Sequence, residues 1–104
     1  MIRKAFMMTL IPGHEAEYQR RHQPTWPEVE EVLREHGVQN YSIFLNRGTH
    51  QLFGYAEIES EELWQQIGQT DACRRWWSYM NELMLTNSDN SPVTETLDEV
   101  FHLD

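Results

Sequence analysis

One cysteine in 104 residues rules out an internal disulfide, and with it the stapled scaffolds of small secreted domains. Cys73 has no CxxC partner, so a reduced, cytoplasmic setting is the expectation. Basic residues are scarce: 8 Lys and Arg stand against 17 Asp and Glu, for a net charge of −9. Nucleic acid and anionic membrane both reward clustered positive charge, so neither is an expected partner. No apolar run approaches the ~18 residues that cross a bilayer. The opening "MIRKAFMMTLIPG" lacks the apolar core of a signal peptide. There is no internal repeat, no GxGxxG and no phosphate loop. The histidines (His14, His22, His36, His50 and His102) form no HxxxH, HxH or HExxH spacing, so neither a metal site nor a cofactor is expected.

What remains is a chain of one domain's length, residues 1–104, with 39% hydrophobic residues. A chain this size buries roughly 60–70% of its unfolded surface, so its stability leans on a partner subunit. Residues 2–11 carry Ile2, Phe6, Met8 and Leu10 on one parity, which predicts a strand ended by Pro12-Gly13. Residues 14–23 suit a helix with Tyr18 and His22 on one face. Pro24 and Pro27 then interrupt it. Thr25 and Glu28 fit a capping box, which predicts a second helix over 26–36 that buries Val29, Val32 and Leu33 and stops at His36-Gly37.

Residues 38–46 alternate, with Tyr41, Ile43 and Leu45 on one face, and 51–59 align Leu52, Gly54, Ala56 and Ile58. The short "RGT" connection makes these two a hairpin. Ser60 caps a further helix, and Thr70-Asp71 recaps it before "ACRRWWSYMNELM". After the loop at 86–92, "VTETLDEVFHL" (93–103) is a fourth strand. The order β-α-β-β-α-β predicts an α+β ferredoxin-like fold with helices on one sheet face. The other face also carries apolar residues, so a homodimer joined sheet to sheet, a dimeric α+β barrel, is expected.

Trp76 and Trp77 are adjacent on a helix and point about 100° apart, so they cannot share one narrow core stripe. Core or subunit packing accounts for them as well as a ligand wall does. An indole gives a flat apolar face and one N–H donor, which suits the C–H faces and hydroxyls of a sugar. Tyr18 and His22 fit a surface or satisfied core position. They also fit a pocket shared with Tyr41 between helices and sheet. "NSDNSP" reads as an Asx-rich turn or as a polar rim to such a pocket.

The blocks "EYQRRH.P.WPE", "NYSIFL", "RWWSYM" and "NSDNSPV…L.EVFHLD", spread nearly end to end, resemble the L-rhamnose mutarotase family. The resemblance implies a small cytoplasmic dimer that interconverts the α and β anomers of L-rhamnose without a cofactor. It implies a proton donor at His22 and sugar contacts at Tyr18, Tyr41, Trp76 and Trp77. On this footing protonated His22 gives its proton to the ring oxygen on opening and recovers it on closure, and the complementary base stays unidentified. Two other activities suit the same fold: a cofactor-free monooxygenase of the dimeric barrel type, and a sugar-binding dimer with no catalysis.

Overall fold

The structure, a computed structural model, describes all 104 residues. Strand β1 (Ile2–Thr9) leads into helices α1 (Glu15–Arg21) and α2 (Pro27–Glu35). The hairpin β2 (Val38–Asn46) and β3 (Gln51–Ile58) follows, then α3 (Glu61–Ile67), α4 (Asp71–Met80) and β4 (Glu95–Leu97). Each helical crossover of the expected β-α-β-β-α-β order is thus broken in two. The strands form one antiparallel sheet in the order β2-β3-β1-β4, which is the ferredoxin-like arrangement.

Local chemistry explains most boundaries. Ser60 accepts a hydrogen bond from the Leu63 N–H at 3.1 Å, and Thr70 one from the Cys73 N–H at 3.3 Å, so α3 and α4 start where their caps predict. Gly37, at φ +78°, ends α2 in the left-handed region. The capping box expected for α2 does not form. Trp26 occupies the N-cap without a side-chain bond, and the Thr25 hydroxyl turns back to donate to the His22 carbonyl at 3.3 Å. Pro27 at N1 needs no N–H partner there, so the helix starts without that cap.

In β2, residues 40 and 41 stand opposite Ala56 alone, between the pairs Gln39↔Glu57 and Ser42↔Tyr55. Asn40 takes up this bulge at φ +52°. The extra residue changes parity, so Val38 and Tyr41 both face the helices. The fourth strand is the main departure from expectation. It spans Glu95–Leu97 and pairs only with Ala5–Met7, and residues 98–104 take no regular structure.

The core lies between sheet and helices in two parts. Phe6, Met8, Leu10, Tyr18, Leu52, Met80, Leu83 and Met84 pack behind α1 and the end of α4. Val38, Ala56, Ile58, Ile67 and Cys73 pack beneath α2 and α3. The Phe6 ring lies over Gly54, its cross-strand neighbour, where a Cβ would meet Phe6 Cζ at 2.5 Å. Gly54→Ala is therefore expected to destabilise the fold by about 1–3 kcal/mol, read as a lower urea midpoint at unchanged m-value.

Candidate functional site

The two prolines release the chain from α1 straight after His22, which becomes the C-cap residue. The last carbonyls of a helix lack N–H partners. One of them, Tyr18 O, lies 2.8 Å from His22 Nδ1. A carbonyl oxygen only accepts, so Nδ1 carries the hydrogen and Nε2 of the neutral ring holds a lone pair. Nε2 meets no protein group, and no polar side-chain atom in the chain is sealed away unpartnered. Nε2 is therefore open to the cavity that His22 lines. Burial pushes the His22 pKa below its ordinary value, and the bond to Tyr18 O opposes this only in part.

The rings around His22 form a continuous set. Tyr18 lies against it at 4.4 Å between centroids, and Trp76 meets it edge-on at 5.2 Å. Behind Trp76 stand Trp26 at 5.2 Å and Tyr79 at 5.7 Å. Trp77 points elsewhere, as its helical offset requires. It packs on the second core cluster, with its ring edge against Gly68. Tyr41 rises from the sheet with its ring 6.2 Å from Phe6 and 5.9 Å from Trp64. Burial raises the pKa of both Tyr18 and Tyr41, so both phenols stay protonated near neutral pH.

All five residues singled out in the sequence line one cavity of about 1020 Å³ between helices and sheet. Its walls are aromatic and aliphatic, and Gln19, Gln23, Asn87, Asn90 and Ser91 stand among its polar lining. The 86–92 loop thus forms part of the rim. Trp26, Tyr79 and Trp64 were not identified from the sequence. The i, i+3 spacing of Trp76 and Tyr79 was the one available signal. No three His, Cys, Asp or Glu side chains are grouped so as to hold a metal ion.

Comparison with known proteins gives a consistent picture. The family model for L-rhamnose mutarotase matches residues 3–103. The chain is 58% identical to the L-rhamnose mutarotase of Opitutus terrae, over 100% of both chains. The crystal structure of an L-rhamnose mutarotase from Formosa agariphila superposes with a TM-score of 0.92 at 35% identity, over 100% of both chains. A putative antibiotic biosynthesis monooxygenase from Nitrosomonas europaea shares the fold, with a TM-score of 0.64, 10% identity and coverage of 97% of this chain and 100% of that one.

The lowered His22 pKa has a consequence for stability. Below pH ~6.5 the unfolded chain binds a proton at this position before the folded chain does, so stability at His22 falls as pH drops through that window. In urea unfolding, the loss of stability between pH 7 and pH 5 is expected to be smaller in His22→Gln than in the parent.

Proposed function

The chain belongs to the L-rhamnose mutarotase family, and we propose on that premise that it interconverts the α and β anomers of L-rhamnose by acid–base ring opening and closure. One observation carries the site assignment: a neutral imidazole, oriented by a backbone carbonyl, has its free nitrogen open to an aromatic-walled cavity. Mutarotation moves only protons. The anomeric hydroxyl loses one, the ring oxygen gains one, and the process reverses on the other face of the aldehyde.

His22 in its resting form suits the first of these transfers, because Nε2 accepts the anomeric proton and returns it on closure. It is therefore a base on opening and a donor on closing, the reverse of the donor-on-opening role that the resemblance implies. Trp76 offers a flat wall to the C–H face of the sugar, and Tyr41 and Tyr18 offer hydroxyls. Trp77 shapes the cavity from the core side. The 6-methyl group of a deoxysugar adds to the gain from apolar walls.

We place residues 1–104 in one mutarotase domain that works in the cytoplasm, where Cys73 remains a free thiol. No helix is long and apolar enough to cross a membrane. The sheet face turned away from the helices carries Met7, Phe53 and Phe44 in register, with Phe44 62% and Phe53 39% exposed. Arg3, on the same face, pairs with Glu99 at 2.8 Å and starts the C-terminal segment beside it. Val100 and Phe101 beyond are 94% and 79% exposed. A second copy covers this surface in our reading, since exposed apolar area of this kind marks an interface.

Two measurements test the proposal. His22→Ala, checked by circular dichroism, is expected to lose ~10²-fold or more of the catalysed exchange between α and β L-rhamnose signals in NMR. Near-parental exchange would remove His22 from the mechanism. Sedimentation is expected to show a dimer that Phe44→Glu with Phe53→Glu dissociates. A 12.5 kDa monomer at every concentration in the parent would sink the barrel assembly.

A further inference from the structure

Ring opening needs a second proton carrier, because the ring oxygen must gain a proton as the anomeric oxygen loses one. We infer that the Tyr18 hydroxyl supplies it, so that Tyr18 and His22 act as an acid–base pair across the anomeric carbon. This inference rests on the mutarotase reading and goes beyond a contact role for Tyr18.

The position of Tyr18 carries the argument. The residue is only 8% exposed, yet its hydroxyl bonds to no protein group. A buried phenol ordinarily finds a partner. Since no polar side-chain atom is sealed away unpartnered, the hydroxyl is open to the cavity that Tyr18 lines. Its ring lies 4.4 Å from that of His22, and its own carbonyl sets the His22 tautomer. Tyr41, the other phenol on the cavity, packs its ring on Phe6 and Trp64 rather than on His22.

The other titratable groups on the cavity are less suited. Hydrogen bonds from its own backbone N–H and from the Gly13 N–H hold the Glu15 carboxyl below its ordinary pKa, which keeps it ionised. Glu30 faces Arg34 at 3.7 Å. Cys73 belongs to the second core cluster, where burial raises its thiol pKa to about 11. The carboxamides of Gln19, Gln23, Asn87 and Asn90 do not release protons near neutral pH.

The step balances. The anomeric O–H bond breaks and its proton passes to His22 Nε2, while the electron pair forms the aldehyde C=O. The bond from C1 to the ring oxygen breaks, and its pair leaves on that oxygen, which takes the Tyr18 proton. The enzyme then holds an imidazolium beside a phenolate, and their attraction offsets part of the cost of each buried charge. Once the aldehyde turns its other face, the ring oxygen attacks C1 and returns its proton to Tyr18, and the new anomeric oxygen takes the proton from His22. No co-reactant is consumed.

Tyr18→Phe keeps the ring against His22 and removes only the proton, so the test separates an acid from a contact. The expected result is a fall in kcat of ~10²-fold or more, with KM for L-rhamnose changed by less than about threefold. Replacing Tyr18 with 3,5-difluorotyrosine is expected to move the alkaline limb of the kcat–pH profile to lower pH. A raised KM at parental kcat would overturn the inference, as would parental kinetics in Tyr18→Phe alongside a kcat loss in Tyr41→Phe. His22→Ala, run in parallel, distinguishes the two levels. If it loses exchange while Tyr18→Phe does not, the acid assignment alone fails. If neither variant loses exchange, the site reading fails with it.

Discussion

The hydrogen bond from His22 Nδ1–H to the Tyr18 carbonyl oxygen is the constraint on which the site depends. It arises because a helix cannot satisfy its own last carbonyls. It selects one tautomer, and the tautomer decides which nitrogen reaches the cavity. The same local bond recurs at the end of α2, where His36 Nδ1 lies 2.7 Å from Val32 O. His36 does not line the cavity and faces no aromatic wall. A histidine folded back on its helix end is therefore an ordinary capping device. It becomes a candidate for chemistry at His22 because α1 ends beside α4.

That placement is held by Arg21. Its guanidinium donates to Glu17, to the Tyr79 carbonyl and to Glu82, each at 2.6 Å, and lies 4.4 Å from the centre of the Tyr79 ring. A charge this deep, with its side chain 10% exposed, is tolerated because its donors are matched. Arg21 thus ties the last turn of α1 to the last turn of α4, and so sets His22 against Trp76. Trp26, delivered by the break between the prolines, closes the stack from behind by resting on Tyr79 at 5.0 Å. The interruption of the helix both ends α1 at the histidine and brings in the indole that supports the wall.

Element order, the hairpin and two of three helix caps were legible in the sequence, because alternation and cap chemistry are local. The capping box at Thr25 was misread for a physical reason. A hydroxyl three residues from an unpaired carbonyl has two uses, and here the chain between the prolines turns it back to His22 O rather than forward to Glu28. The parity change in β2 was equally hidden, since alternation from Tyr41 onward reads the same with or without a bulge at Asn40. The site residues were marked by family resemblance more firmly than by spacing. Helical geometry separated Trp76 from Trp77 correctly, but gave no sign of which one would meet His22. That choice belongs to the packing of α4 on α1.

The shortness of β4 follows from the same separation of local from non-local causes. "VTETLDEVFHL" alternates as a strand should, yet only Glu95–Leu97 pairs with β1. Alternation records that one side of a segment is apolar, and it does not record what that side meets. Val100, Phe101 and Leu103 stay largely exposed within one chain. Glu99, held by Arg3, keeps the start of the segment beside the outer sheet face, where Phe44 and Phe53 also lack cover. The alternation that overpredicts the strand thus records apolar side chains that one chain leaves exposed, a demand the hydrophobic pattern carries without naming what meets it.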